Sequence, residues 1–88
     1  MYRVYLIENL GGRRYIGLSE DVEHRLGQHN RGESRWTAKF RPWRLVWTSS
    51  PRSLTEARRL EAILKAQKGG DGLWRLLRET GSFVPSGS

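Results

Sequence analysis

The chain has 88 residues and two histidines. It has no cysteine, which excludes a disulfide framework, a thiol nucleophile and a cysteine-ligated metal site. Sixteen Lys and Arg against nine Asp and Glu give a net charge of +7, and thirteen of these cations are Arg, whose guanidinium group binds phosphate oxygens bidentately. We therefore expect one small cytoplasmic domain, without a membrane-spanning segment, whose first partner is nucleic acid.

The first two predicted elements are strands that form a hairpin. Residues 2–8 alternate and are rich in Tyr, Val, Leu and Ile, and residues 13–18 repeat this composition after a turn at 9–12. A hairpin loop of about three residues would place Tyr5 opposite Tyr15. A two-residue loop would instead place the two tyrosines on opposite faces of the sheet.

The first helix is predicted over residues 20–30. Ser19 is a favourable N-cap, and Glu20 and Asp21 follow it in the first turn, where the helix dipole favours acidic side chains. Residues 31–42 read as a basic, irregular stretch, and residues 44–48 read as a third strand.

Two more helices are predicted in the second half of the chain. Ser53 and Glu56 form a capping-box pattern, which predicts a helix over 54–68 that ends at the two glycines 69 and 70. Residues 72–79 read as a short third helix. The fold class is therefore α+β, with a small three-stranded antiparallel sheet flanked by helices in the order β-β-α-β-α-α. Residues 1–84 are expected to form one domain and residues 85–88 a disordered tail.

Ionisable side chains lie within the apolar stripes of two predicted helices. The stripe that contains Val22 and Leu26 also includes Arg25 and His29, and the stripe of the second helix includes Glu61. Such groups are costly to bury unless they are paired or used. Places where a sequence breaks its local rules are candidate functional sites.

Two interpretations of these residues remain open. Arg25 and Glu61 could form a buried salt bridge at the edge of the core. Alternatively, they could converge with His29, Tyr5 and Tyr15 on one surface that acts on a phosphodiester. There the carboxylate would hold a metal, the cation would stabilise developing charge, and a phenol or imidazole would move the proton.

Four spaced elements of the chain resemble the GIY-YIG endonuclease family. Arg-Val-Tyr at 3–5 stands in the place of Gly-Ile-Tyr, and Tyr-Ile-Gly at 15–17 is intact. Residues 21–30 are similar to the family's Arg/His helix, and residues 60–65 to its Glu helix. The Arg-Pro-Trp at 41–43 is similar to the small stand-alone bacterial members and to the nuclease domain of the structure-specific endonucleases.

This resemblance implies hydrolysis of a DNA strand with one divalent metal, Mg²⁺ or Mn²⁺, leaving a 5′-phosphate and a 3′-hydroxyl. By the same resemblance Glu61 would ligate the metal and Arg25 would contact the scissile phosphate. Tyr5 would be the general base, with Arg25 or the metal favouring its phenolate. Tyr15 and His29 would orient water or assist proton transfer.

Three departures from the family's pattern are visible. Arg3 replaces the first motif glycine, which leaves Tyr5 in place. No Asn follows Glu61, so one auxiliary ligand or phosphate contact of some families has no counterpart here. The zinc-binding domain that accompanies the structure-specific members is also absent from a chain without cysteine.

Substrate contacts are predicted mainly in the basic stretch that follows the first helix. Cations can hold phosphates while exposed aromatic side chains stack on unpaired bases. The candidate nucleic-acid-binding residues are Arg35, Trp36, Lys39, Arg41 and Lys65. In contrast, Trp43 and Trp47 are expected to belong to the core around the third strand.

Three function classes follow from these observations. The favoured one is a metal-dependent DNA endonuclease that cuts branched, flapped or single-stranded DNA, selective for structure rather than sequence, in a setting such as DNA repair. The second is a non-catalytic nucleic-acid-binding module that retains the nuclease fold. The third is a small interaction protein, with an unidentified protein partner, whose charge serves solubility.

Overall fold

A computed structural model describes residues 1–67 and 70–85 of the chain. Residues 68 and 69, at the predicted end of the second helix, and residues 86–88 of the predicted tail lie outside the described residues. In chain order the elements are β1 (Arg3–Asn9), β2 (Arg14–Ser19), α1 (Val22–Asn30), α2 (Arg35–Ala38), β3 (Trp43–Ser49), α3 (Leu54–Ala66), α4 (Asp71–Thr80) and β4 (Gly81–Phe83). No helix in this described part of the chain is both long and apolar enough to cross a bilayer.

The four strands form one antiparallel sheet in the order β2-β1-β3-β4. The four consecutive residues at the centre of β1, from Val4 to Ile7, are all buried because helices cover both faces of the sheet. Val4 and Leu6 pack against the buried leucines of α3 and α4. Tyr5 and Ile7 point to the opposite face and pack with Val22 of α1. Alternate residues of β1 therefore belong to two separate cores.

Asn9 and Arg13 form the last hydrogen-bonded pair of the hairpin between β1 and β2, which leaves a loop of three residues, 10–12. The amide of Asn9 donates to the carbonyl of Arg13 at 3.0 Å, and Gly12 supplies the positive φ of +85° that this loop requires. Tyr5 is paired across the strands with Gly17, and Tyr15 with Ile7. The odd-length loop thus puts both tyrosines on one face, but they are diagonal neighbours rather than directly opposite.

The α+β class and the antiparallel sheet are confirmed, whereas the prediction of three strands and of the order β-β-α-β-α-α is wrong. The fourth strand, β4, has only three residues and no alternating pattern, so hydrophobic periodicity could not reveal it. Gly81 permits its close approach to β3, because a Cβ there would collide with the carbonyl oxygen of Thr48. The helix α2 is a single turn within the stretch read as irregular, too short for a helical stripe.

The helix boundaries lie close to the predicted ones, but the N-cap of α1 is a different residue from the one predicted. Asp21 rather than Ser19 is the N-cap of α1, since its carboxylate accepts the amide of His24 at 3.0 Å. Ser19 instead accepts the amide of Asp21 at 3.0 Å. The capping box of α3 is confirmed, with the Ser53 hydroxyl accepting the Glu56 amide at 3.2 Å.

The two tryptophans of β3 are core residues, as predicted. Trp43 is 4% exposed and Trp47 is completely buried. The indole N–H of Trp43 donates to the carbonyl of Thr37 at 2.8 Å, and that of Trp47 donates to the carbonyl of Leu77 at 2.8 Å. Each tryptophan therefore fixes a neighbouring helix to the sheet while its polar atom remains satisfied.

Candidate active site

Three aromatic rings from three different elements meet on the α1 side of the sheet. Tyr5 of β1 and Tyr15 of β2 have ring centroids 6.3 Å apart. The His29 ring of α1 lies 5.9 Å from Tyr5 and 5.1 Å from Tyr15. The hairpin register and the helical stripe of α1 thus bring together three of the five residues predicted to be catalytic.

Gly17 makes room for this cluster. The Tyr5 side chain lies across Gly17, its partner on β2, and a Cβ at this position would be 2.6 Å from the Tyr5 hydroxyl oxygen. The same Cβ would be 3.1 Å from the Tyr15 ring. The glycine of the Tyr-Ile-Gly segment is therefore required by the close approach of two aromatic side chains rather than by its backbone conformation.

His29 is completely buried and both of its ring nitrogens are hydrogen-bonded. Nε2 lies 2.8 Å from the Tyr5 hydroxyl, and Nδ1 lies 2.7 Å from the hydroxyl of Thr37, which is also fully buried. Burial, together with the nearby positive charge of Arg25, lowers the pKa of His29 to about 4. His29 is therefore a neutral imidazole at physiological pH.

Tyr5 is a neutral phenol in the free protein. Burial and, to a smaller extent, Tyr15 raise the pKa of Tyr5 to about 12 against the opposing effect of Arg25. The carboxylate of Glu61 also raises the pKa of Tyr5. Arg25 does favour the phenolate, as expected, but burial and Tyr15 outweigh its effect in the free protein.

Arg25 and Glu61 both lie close enough to Tyr5 to influence its ionisation. In the part of the chain that the structure describes, they do not form the salt bridge considered as an alternative. Arg25 donates to the side-chain carbonyl of Gln28 at 2.9 Å, and Glu61 pairs with Lys65, one helical turn away, at 3.3 Å. Because its nearest partner is an uncharged amide, the guanidinium of Arg25 keeps its charge available for an anion.

The side chains available as metal ligands suit a metal ion that is held mainly by substrate and water. Among residues 1–67 and 70–85, no three His, Asp or Glu side chains cluster as a complete metal site. Glu61 offers one carboxylate, whose side chain is 23% exposed. A hard cation such as Mg²⁺ is often bound by one or two carboxylates together with phosphate oxygens and water. Glu61 therefore fits such a cation, provided that Lys65 moves away from it.

An exposed aromatic side chain adjoins the three-ring cluster. Trp36 of α2 is 43% exposed, and its ring centroid lies 6.1 Å from that of Tyr15 and 5.0 Å from that of Phe40. The guanidinium of Arg13 lies over the Phe40 ring, 4.1 Å from its centroid. The other predicted nucleic-acid-binding side chains are also exposed, namely Arg35, Lys39, Arg41 and Lys65.

Sequence reasoning missed three contributors to this site. Thr37 lies in the stretch read as irregular, where no periodic pattern indicates which side chain is buried. Gly17 could be recognised as a motif residue, but its contact with Tyr5 depends on the hairpin register. Arg13 sits at the predicted start of a strand, and only the structure reveals that it lies over the ring of Phe40, which in turn neighbours Trp36.

Comparisons with known proteins gave matches that cover most of this chain. The family model described as the GIY-YIG catalytic domain matches residues 1–72. A UPF0213 protein of Halobacterium salinarum is 38% identical over 66 residues, which cover 74% of this chain and 86% of that protein. A UPF0213 protein of Staphylococcus aureus is 32% identical over 77 residues, covering 86% of this chain and 93% of the relative. No solved structure matches the chain.

Proposed function

The chain belongs to the GIY-YIG family, and from this premise we propose that it is a metal-dependent endonuclease that cuts branched, flapped or single-stranded DNA. Residues 1–84 would form the nuclease domain. The observation that carries the proposal is the meeting of Tyr5, Tyr15 and His29 on one face, with Arg25 and Glu61 acting electrostatically on Tyr5. The cytoplasmic location and the link to DNA repair stay predictions.

Arg25 is assigned to the scissile phosphate. Its guanidinium contacts the neutral side chain of Gln28 at 2.9 Å, so a phosphate would be its charged partner. Charge-assisted hydrogen bonds from a guanidinium to phosphate oxygens are strong and directional. In the transition state they would stabilise the negative charge that develops on those oxygens.

Tyr5 is assigned to the proton of the attacking water. The water oxygen would form a bond to phosphorus while one of its protons passes to the Tyr5 phenolate, and the P–O3′ bond would break as the 3′ oxygen takes a proton from solvent. This role requires the phenolate, which Arg25 favours and the Glu61 carboxylate disfavours. Neutralising the charge of Glu61 would therefore lower the pKa of Tyr5 and assist its role as a base.

Glu61 is the residue that would hold the divalent metal. When bound there, Mg²⁺ or Mn²⁺ would supply positive charge that stabilises the reacting phosphate. The Glu61–Lys65 pair is a half-exposed pair one helical turn apart, a type that contributes only about 0.3–0.5 kcal/mol. Releasing Lys65 toward a DNA phosphate would therefore cost little stability.

Trp36 supports a preference for unpaired bases. A 43% exposed indole beside the catalytic rings can stack on a base that has left the duplex. Trp36 has cationic residues on both sides in the sequence, and Arg13 lies over the neighbouring Phe40 ring. These contacts carry no base-edge readout, so the proposed selectivity is for DNA structure rather than sequence.

A cleavage assay tests this proposal. Flap, branched, single-stranded and duplex DNAs of matched sequence are incubated with the purified chain and Mg²⁺, Mn²⁺ or EDTA. We expect metal-dependent cuts that leave 5′-phosphates on the flap, branched or single-stranded DNAs. Arg25→Ala should lose this activity, while His24→Ala, an exposed change on the same helix, should keep it.

The alternative of a non-catalytic DNA-binding module draws on one observation, that Tyr5 is a buried neutral phenol. Tight binding of these DNAs without cleavage under any metal condition would favour that alternative and contradict the endonuclease.

A further inference from the structure

Two buried hydrogen bonds of His29 link Thr37 of α2 to Tyr5 of β1. The hydroxyl of Thr37 lies 2.7 Å from Nδ1, and Nε2 lies 2.8 Å from the Tyr5 hydroxyl. Thr37 and His29 are completely buried, and Tyr5 is 1% exposed. Since a neutral imidazole has one N–H donor and one acceptor nitrogen, the bond at Nδ1 determines what Nε2 can do toward Tyr5.

Thr37 is held firmly in its position. The indole N–H of Trp43 donates to the Thr37 carbonyl at 2.8 Å. The Asn30 side chain is bonded to both the amide and the carbonyl of Trp43, at 2.7 and 3.0 Å, which fixes the end of α1 against the start of β3. The Thr37 hydroxyl is therefore presented to His29 by a rigid frame.

The distances around Thr37 indicate which tautomer of His29 is present. Two acceptors are within reach of the Thr37 hydroxyl hydrogen, Nδ1 at 2.7 Å and the carbonyl of Ser34 at 3.4 Å. Hydroxyl donors normally lie about 2.5–3.0 Å from their acceptors, so Nδ1 is in range and the carbonyl is not. That carbonyl already accepts the amide of Ala38 at 2.9 Å.

We propose that Thr37 is a positioning residue that donates its hydroxyl hydrogen to Nδ1 of His29 and so keeps the imidazole proton on Nε2, directed at the Tyr5 oxygen. A donor at this position stabilises the phenolate of Tyr5 relative to the phenol. It also leaves the phenolic hydrogen free to turn toward water or substrate. The catalytic consequence rests on the proposed endonuclease function, whereas the tautomer does not.

Nitrogen NMR of the intact chain tests the tautomer directly. His24→Gln removes the other histidine, which is exposed, so that all imidazole signals come from His29. At neutral pH we expect the ¹⁵N shift of Nε2 to be that of a protonated ring nitrogen and the shift of Nδ1 to be that of an unprotonated one. The opposite pattern, with the proton on Nδ1, would overturn the proposal without any variant of Thr37.

Two variants in the His24→Gln background separate positioning from packing. Thr37→Ser keeps the hydroxyl, and Thr37→Val keeps the shape without it. Thr37→Ser should retain the wild-type pattern, whereas Thr37→Val should shift a substantial fraction of His29 to the other tautomer. An unchanged pattern in a folded Thr37→Val protein would also overturn the proposal.

The cleavage rate links the tautomer to function. General acid–base assistance contributes about 10²–10⁴-fold in total, so we expect Thr37→Val to slow DNA cleavage about 10- to 100-fold at saturating DNA and Thr37→Ser to restore most of the rate. If wild-type protein cuts no DNA, the proposed function fails while the NMR result still decides the role of Thr37.

Discussion

Substitution of Gly17 by Ala should damage the candidate site through one added methyl group. The new Cβ would be 2.6 Å from the Tyr5 hydroxyl oxygen and 2.8 Å from the carbon that carries it, where ordinary contact begins at 3.4 Å. The Tyr5 ring would have to retreat by about 0.8 Å, and Tyr15, 3.1 Å away on the other side, restricts its escape. Such a shift would disrupt the 2.8 Å bond between Tyr5 and His29.

The expected loss of stability combines two costs. Overpacking a close-packed core costs about 1–3 kcal/mol, and leaving a buried hydrogen-bonding group without its partner costs about 1–3 kcal/mol. Because the two costs share one movement, we expect a total of roughly 2–4 kcal/mol rather than their full sum. For a domain of this size that loss lowers the melting temperature by roughly 8–30 °C.

Urea unfolding of the wild type and four variants, namely Gly17→Ala, Gly11→Ala, Tyr5→Phe and the double variant with Gly17→Ala and Tyr5→Phe, measures this effect. Gly11→Ala is the matched control, because its Cβ would meet only the Asn9 side-chain oxygen at 3.6 Å and its φ is not positive. In a Tyr5→Phe background the hydroxyl is gone, so Gly17→Ala should be less destabilising there than in the wild type. A Gly17→Ala protein as stable as the Gly11→Ala protein, or an equal penalty in both backgrounds, would refute the reasoning.

Three further outcomes are expected. Because the folded-state pKa of His29 lies near 4, below its usual value of 6.5, its stabilising contribution is complete above pH 6.5 and is lost as pH falls toward 4. Between pH 7 and pH 4 the melting temperature should therefore fall more steeply for the wild type and for His24→Gln than for His29→Gln. Trp36→Ala should weaken single-stranded DNA binding by about 1–3 kcal/mol in a fluorescence titration, whereas Phe83→Ala, equally exposed at 43%, should not. If about four phosphates are neutralised, the log–log salt dependence of DNA binding should have a slope of roughly −3 to −4, and a flat dependence would contradict an electrostatic interface.

Local signals in the sequence predicted the elements that frame the site. The capping box at Ser53 located the start of α3, and the glycine-rich turn located the hairpin. The length of its loop, which decides whether Tyr5 and Tyr15 share a face, stayed open until the structure gave the register. Ionisable residues within apolar stripes identified His29 and Glu61 as unusual. These features depend on neighbours along the chain, which is why sequence patterns reveal them.

The rest depends on contacts between distant segments. Strand β4 exists because Gly81 can approach the carbonyl of Thr48, a contact that no local pattern encodes. Thr37 is bonded to His29 only because a single helical turn follows α1 and is fixed by Trp43. Lys65 was available to Glu61 at helical spacing, but whether Glu61 pairs with Lys65 or with Arg25 depends on where α1 and α3 lie in the fold.

The role of Glu61 is the central claim, and Glu61→Gln tests it most directly. The substitution keeps the shape of the side chain and removes its charge. Since the only ion pair of Glu61 in the described residues is the half-exposed one with Lys65, stability should change by less than about 1 kcal/mol.

Melting temperature, DNA affinity and the rate of metal-dependent cleavage are measured together for wild type, Glu61→Gln and the control Glu79→Gln, an exposed acid on α4. We predict a folded Glu61→Gln protein that binds DNA at least as tightly as wild type, because a negative charge near the phosphates is gone, but no longer cuts it. A Glu61→Gln protein that cuts DNA at the wild-type rate would contradict the assignment of Glu61 as the metal ligand.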